Sequence, residues 1–168
     1  MADMRNKAVF YSCSLFLLAL PALTLADIDS ATRAYEQGDY ATALAEFARL
    51  AGKGDARAQY NLAFMYYGGD GVEQDYKAAF HWFEKSAKSG YSRAQDILGY
   101  MYSHGYGVTA DRVRAYVWYS LAAANGVFLA DEVRDGLAAE MGRAERAEAE
   151  FLTREYFKKY LNFPLHPD

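Results

Sequence analysis

The sequence repeats itself at a spacing of 36 residues. When residues 58–90 are laid over residues 94–126, thirteen positions carry the same residue, where average composition would give roughly two or three by chance. The identical pairs are Ala58/Ala94, Gln59/Gln95, Leu62/Leu98, Met65/Met101, Tyr66/Tyr102, Gly69/Gly105, Gly71/Gly107, Val72/Val108, Asp75/Asp111, Ala79/Ala115, Trp82/Trp118, Ala87/Ala123 and Gly90/Gly126. A period of this length predicts a solenoid, because one unit cannot bury its apolar face alone and has to stack on its neighbours.

Each unit has the pattern of two helices, called A and B below. In the first copy, Ala58, Leu62 and Tyr66 fall on one stripe of helix A, which the glycine-rich run at 68–71 then stops. Asp75 is predicted to cap helix B, because its carboxylate can accept backbone N–H bonds there. The positions predicted to be structural are Gly69, Gly71, Asp75, Trp82 and Gly90, repeated as Gly105, Gly107, Asp111, Trp118 and Gly126.

The run Ala-Gln-x-x-Leu, then Met-Tyr, then Gly-x-Gly-Val-x-x-Asp, then Trp and Gly resembles the Sel1-like repeat, a relative of the tetratricopeptide repeat. The resemblance covers 58–90 and 94–126 closely. It implies an all-α, right-handed α-solenoid of about four antiparallel helix pairs that binds other proteins. Some relatives have been linked to enzymatic activity, but no residue pattern in this chain supports transferring it.

Looser copies flank the two clear units. Residues 27–54 are interpreted as a tetratricopeptide-like pair with a shorter turn, 55–90 and 91–126 as the two repeats, and 127–160 as a capping pair. The last helix of that capping pair is predicted from Arg143 to Tyr160. Residues 161–168 are predicted to be an irregular tail, because Pro164 and Pro167 discourage a helix.

Residues 1–26 have the pattern of a secretory signal peptide. Arg5 and Lys7 precede an apolar run at 8–20, and small residues lead to Ala26. This predicts a periplasmic or secreted protein of a Gram-negative-type bacterium. An uncleaved anchor is the alternative, although Pro21 and the short apolar core argue against a full membrane span. Cleavage after Ala26 would remove Cys13, the only cysteine, so the mature domain would have no disulfide.

Other classes of site lack their sequence patterns. The net charge is −4 and the basic residues are scattered, which argues against a nucleic-acid partner. The Gly-x-Gly loops follow no strand and lack the continuation that phosphate binding requires. His81, His104 and His166 are too widely spaced for a metal motif. We therefore predict no cofactor, no metal and no catalytic residue.

The face of helix A opposite its buried stripe is the candidate binding surface. It carries Tyr60, Phe64 and Tyr67 in one unit and Asp96, Tyr100 and Ser103 in the next; a shorter-turn alignment adds Asp29, Arg33 and Glu36. Aromatic rings beside polar groups suit a groove that binds a peptide. The predicted groove residues are Arg33, Tyr60, Phe64, Tyr67, Asp96, Tyr100, Ser103 and His104. The alternative is that these aromatics only pack against the adjacent helix A.

Three functional hypotheses remain open from the sequence. The first is a non-catalytic interaction module of the bacterial envelope that binds a protein or peptide segment. The second is an envelope enzyme acting on cell-wall or glycan material, with Asp70, Asp96 or Asp131 as acid and base. The third is a secreted host-interaction factor. The charges of the last helix, at Arg143, Arg146, Lys158 and Lys159, are interpreted as a solvated cap with docking as the alternative.

Overall fold

A computed structural model describes residues 28–160, which form eight α-helices and no strand. The helices are α1 (Ile28–Glu36), α2 (Tyr40–Gly52), α3 (Ala56–Gly68), α4 (Tyr76–Lys88), α5 (Ser92–His104), α6 (Arg112–Ala124), α7 (Ala130–Glu140) and α8 (Arg143–Tyr160). The predicted signal peptide at 1–26 and the predicted tail at 161–168 lie outside the described residues.

Neighbouring helices pack in chain order, α1 on α2, α2 on α3, and so on through α7, which confirms an all-α solenoid. The contacts between helices are built on small side chains. The fully buried alanines, which let the helix axes approach closely, are Ala43, Ala58, Ala63, Ala79, Ala87, Ala94, Ala115, Ala122 and Ala149. Larger side chains such as Phe47, Phe83 and Leu98 fill the remaining space.

Aspartate caps start most of the repeat helices, as the sequence predicts for Asp75. Its Oδ1 accepts from the backbone N–H of Lys77 at 2.8 Å and of Ala78 at 3.0 Å. Asp111 caps α6 in the same way, accepting from the Arg114 N–H at 2.9 Å. These bonds satisfy N–H groups that have no partner inside the helix.

The loop of each repeat rests on the first turn of helix B in the preceding unit. Gly107 has φ +70°, and a Cβ added there would lie 2.0 Å from the Tyr76 carbonyl oxygen. Gly71 has φ +71°, and its added Cβ would lie 2.5 Å from the Tyr40 Cβ. Both the left-handed backbone and the close contact therefore require glycine at this position, which explains why both copies carry it.

The last two helices depart from the stacking of the earlier units. α8 packs along α6, and it meets α7 through the Arg146 side chain, which donates to the Ala138 carbonyl. The ring centroids of Tyr156 and Tyr160 lie 5.4 Å and 6.0 Å from that of Trp118, which is 2% exposed. α7 carries Arg134 and Asp135 at the positions where α5 has Leu98 and Gly99. The predicted capping segment thus caps the stack with α8 on α6.

Trp82, the copy of Trp118, is only half-buried, and it packs against the edges of both apolar clusters of the described residues. The Lys85 ammonium lies 4.5 Å from its ring centroid and covers part of it. The two tryptophans therefore share a repeat position but differ in what buries them. No helix of the described segment has both the length and the apolar character needed to cross a membrane.

Candidate partner-binding face

Seven of the eight predicted groove residues lie on α3 and α5, the A helices of the two clear repeats. Tyr60, Phe64 and Tyr67 on α3 are half-buried, whereas Tyr100 on α5 is 36% exposed and His104 beside it is exposed. The eighth residue, Arg33 on α1, is exposed. The predicted residues thus include partly accessible aromatic rings on the A helices of two successive repeats.

The α3 rings rest on the core through one edge. Phe64 lies 5.1 Å from Phe83 and 4.8 Å from Tyr60, measured between ring centroids, both in edge-to-face geometry. Tyr60 also contacts Phe83, at 5.7 Å, and Tyr91, at 4.9 Å. Burial raises the pKa of the Tyr60 hydroxyl. The α3 rings thus pack against Phe83 of α4 and against Tyr91, and they still keep accessible surface.

The aromatic surface continues onto a cluster that joins two repeats. Tyr67 lies 5.2 Å from Tyr76 and 6.1 Å from Tyr106, and Tyr106 stacks on Tyr100 at 5.7 Å. The Nδ1 of His104 lies 3.0 Å from the Tyr100 carbonyl oxygen, which holds the imidazole ring parallel to Tyr106. We call the surface formed by Tyr60, Phe64, Tyr67, Tyr76, Tyr100, His104 and Tyr106 the aromatic face.

Sequence reasoning missed two members of this face. Tyr106 occupies the middle of the second Gly-x-Gly loop, where the first copy has Asp70, and Tyr76 opens α4, where α6 has Arg112. Neither lies on the helix A stripe that the spacing defines, because Tyr106 is in the loop and Tyr76 begins the next helix. The sequence does mark both positions, because each carries a tyrosine where the other repeat has a charged residue.

The second repeat contains a matched set of differences around Tyr119. Tyr119 replaces Phe83, and a Cβ added to Gly99, which replaces Ala63, would lie 2.9 Å from the Tyr119 ring. Burial raises the pKa of Tyr119 to about 12, and Ser103 lies beside its hydroxyl. The Ser103 hydroxyl itself donates to the Gly99 carbonyl at 2.9 Å. Ser103 is thus engaged in holding the larger ring.

Asp96 is a half-buried carboxylate on the same helix. Within residues 28–160 it forms no hydrogen bond or ion pair. Loss of water contact raises the pKa of its carboxyl above the ordinary aspartate value. Its charge raises the pKa of the Tyr60 hydroxyl on α3 and of the Tyr119 hydroxyl on α6.

A cleft of about 240 Å³ opens beside the aromatic face, between α1 and α3. Its lining residues are Thr32, Tyr35, Phe47, Tyr60, Asn61 and Phe64. The first unit thus contributes Thr32, Tyr35 and Phe47 to the cleft, whereas the predicted Arg33 does not line it.

Two polar contacts fix the elements around this cleft. The Tyr35 hydroxyl donates to Asp70 Oδ2 at 2.7 Å, and this hydrogen bond to a carboxylate raises the pKa of Tyr35 to about 12. Asp29 pairs with Arg57 at 2.8 Å on the exposed side. Tyr60 and Phe64 line this cleft and also belong to the aromatic face, so the two surfaces are continuous.

The three carboxylates considered for acid-base chemistry lie in different environments. Asp70 accepts a hydrogen bond from Tyr35, Asp131 is exposed in the first turn of α7, and Asp96 is half-buried without a partner. Among residues 28–160, no group of three or more His, Cys, Asp and Glu side chains is arranged to hold a metal ion. Of the three carboxylates, Asp96 alone is both half-buried and without a hydrogen bond or ion pair among residues 28–160.

Comparison with known proteins agrees with this architecture. The Sel1 repeat family model matches residues 56–91 and 92–127. The chain is similar to a protective antigen of uropathogenic Escherichia coli strains that displays an SLR fold, with 31% identity, a TM-score of 0.75 and 79% of this chain covered. It is also similar to a Sel1 repeat protein of Oxalobacter formigenes, with 27% identity, a TM-score of 0.64 and 68% of this chain covered.

This chain spans 29% of the length of the first of those proteins and 47% of the second. No curated protein matches it. Sel1 repeats generally act as protein-interaction modules, and proteins built from them are typically non-catalytic scaffolds. With two matched repeats in a helical solenoid of the same fold, the chain is a Sel1-repeat protein.

Proposed function

We propose that this protein is an exported, non-catalytic interaction module that binds a segment of a partner protein on its aromatic face. The observation that carries the proposal is the continuous row of partly accessible rings from Tyr60 on α3 to Tyr100 and His104 on α5. Tyrosine and phenylalanine provide large contact areas and lose little side-chain entropy on binding.

The arrangement of the rings favours recognition over simple core filling. Phe64 and Tyr60 are anchored against Phe83, so they need little ordering when a partner arrives. His104 is oriented by the Tyr100 carbonyl. A pre-organised aromatic surface next to a 240 Å³ cleft matches what a peptide segment with one or two apolar anchors would use.

Export is the part of the proposal that rests on residues 1–26 alone. Fractionation of the producing cells, with detection of the protein in periplasm, membrane and medium, tests it. A mature form that begins at Asp27 in the periplasm supports export, and a full-length form in the cytoplasm contradicts it. Release into the medium would instead favour the host-interaction role, for which the similarity to a protective antigen is the motivating observation.

The binding role is tested by the double variant Phe64→Ala/Tyr100→Ala. Partners recovered from an envelope extract should fall to background when the face is truncated. The matched control is Phe128→Ala/Phe151→Ala, which removes two aromatics that are 86% and 55% exposed and lie outside the aromatic face. Control recovery should equal that of the wild type.

Because Phe64 also contacts the core, a second variant guards against misfolding. Tyr100→Ala/His104→Ala changes only exposed rings of the face and should also abolish recovery while thermal unfolding stays close to wild type. Undiminished recovery by this folded variant would remove the aromatic face as the binding surface.

A further inference from the structure

The unpaired carboxylate of Asp96 is the feature of this face that folding does not account for. Half-burying an ionised carboxylate costs free energy unless a cation or hydrogen-bond donors compensate. No such compensation exists among residues 28–160, as Asp96 forms no hydrogen bond or ion pair there. Tyr60 occupies the same repeat position in the preceding unit, so the scaffold does not require a carboxylate at this point.

The groups that face Asp96 come from three helices. Arg93, one turn earlier on α5, is exposed and influences Tyr60 but makes no ion pair with Asp96. Tyr60 of α3 and Tyr119 of α6 lie near enough for the charge of Asp96 to raise the pKa of both hydroxyls. Tyr100 lies one turn later on α5 and is 36% exposed, which makes it a neighbour on the same helix surface.

The acidic character extends along the equivalent positions of the other A helices. Aligned with Tyr60 and Asp96 are Asp29 in α1 and Glu132 in α7, both exposed. Asp29 is paired with Arg57, whereas Asp96 alone is both half-buried and unpaired in this row. The charge complementary to this row is positive.

We propose that the partner segment bears an arginine or lysine whose cation pairs with Asp96 while its aliphatic stem lies on the rings of Tyr60 and Tyr100. Such a side chain satisfies both parts of the site, since the stem of Arg or Lys covers apolar surface and the head is a strong donor to a carboxylate. Cation–π attraction to the tyrosine rings adds to the pairing. This inference rests on the proposed function and specifies the chemistry of the partner.

The test selects random peptides displayed on phage against the full mature chain. Enriched peptides should share an Arg or Lys at one fixed position flanked by apolar residues. Synthetic copies should lose affinity by about tenfold when that residue becomes citrulline or norleucine, or when the protein carries Asp96→Asn. Glu148→Gln, which neutralises an exposed carboxylate on α8, is the matched control and should leave affinity unchanged.

Three other outcomes separate this inference from the proposed function. Peptides that need the aromatic face but carry no shared cation, and bind Asp96→Asn equally well, overturn the cation inference and leave the proposed function intact. Enriched acidic peptides, or self-association through the face, overturn it in the same way. No enrichment above that of the Tyr100→Ala/His104→Ala variant overturns the proposed function itself.

Discussion

The side-chain amide of Asn125, which follows α6, donates a 2.8 Å hydrogen bond to Oε1 of the buried Gln95 in α5. The Gln95 amide in turn donates to the Ala87 carbonyl at 3.2 Å, so both ends of this glutamine are satisfied. Asn125→Ser should destabilise the fold by about 1–3 kcal/mol, because it leaves the buried oxygen without a donor. Urea unfolding followed by circular dichroism measures the loss, and an unchanged free energy of unfolding would contradict the role of the bridge.

The preceding repeat offers the reverse experiment. Gln59 donates to the Ala51 carbonyl at 3.2 Å, but its Oε1 has no hydrogen-bond partner among residues 28–160, and Ser89 stands where the next repeat has Asn125. Ser89→Asn should therefore stabilise the protein by about 1 kcal/mol by supplying the donor. A destabilised variant would show that the two repeats do not share this geometry.

Two glycines with the same backbone conformation should respond differently to alanine. Gly107 and Gly126 have φ of +70° and +79°, but an added Cβ meets the Tyr76 carbonyl oxygen at 2.0 Å only at Gly107. Gly126→Ala should cost about 1–2 kcal/mol from the left-handed conformation alone. Gly107→Ala should cost about 3 kcal/mol or more, because the loop must also move off α4. Equal costs in thermal unfolding would show that this loop does not rest tightly on its neighbour.

Replacing each of the two repeat tryptophans with alanine should cost a different amount of stability in thermal unfolding. Trp118→Ala should cost about 3–5 kcal/mol, since it opens a cavity beneath Tyr156 and Tyr160. Trp82→Ala should cost about 1–3 kcal/mol, because the half-buried ring removes less apolar surface from water. When α8 is deleted, the losses of stability caused by Trp118→Ala and Trp82→Ala should become similar. A difference that persists would mean that residues outside α8 account for the larger effect at Trp118.

Asp96 should make stability depend on pH in a definite direction. Its folded-state pKa is raised by loss of water contact, so the folded protein binds this proton more tightly than the unfolded chain. The ionised carboxylate therefore lowers stability above the raised pKa, and that cost disappears as the pH falls through the raised value toward the ordinary aspartate range. Asp96→Asn should be more stable than wild type at neutral pH, with a gain that vanishes in acid.

Thermal melts of both proteins from neutral to acidic pH measure this gain, with Glu148→Gln as the exposed control. The titrating and charged neighbours to consider are Arg93, Tyr60 and Tyr119. An Asn variant less stable than wild type at neutral pH would mean that Asp96 has a stabilising partner.

Local rules predicted the scaffold well. Asp75 caps α4 because its position relative to the helix is set by a few neighbouring residues, and Gly107 is conserved between copies because one backbone conformation and one contact demand it. The packing of α8 on α6 was not predictable in this way. It depends on Tyr156 reaching Trp118 across more than thirty residues of sequence.

The candidate face was likewise predictable only where it depends on spacing within one helix. Helical spacing placed Tyr60, Phe64 and Tyr100 on adjacent A helices, but it could not place Tyr76 or Tyr106 beside them. Those contacts depend on how one repeat is rotated against the next, which the spacing within a unit does not determine.

Site-specific photo-crosslinking tests the central claim most directly. A photoreactive phenylalanine analogue is placed at Tyr100 on the aromatic face, and in a second protein at Phe151 on α8, which is 55% exposed. Irradiation of the producing cells should give a defined adduct with one partner from position 100, lost when His104→Ala is added, and none from position 151. Equal adducts from both positions, or a partner captured only from position 151, would contradict binding at the aromatic face.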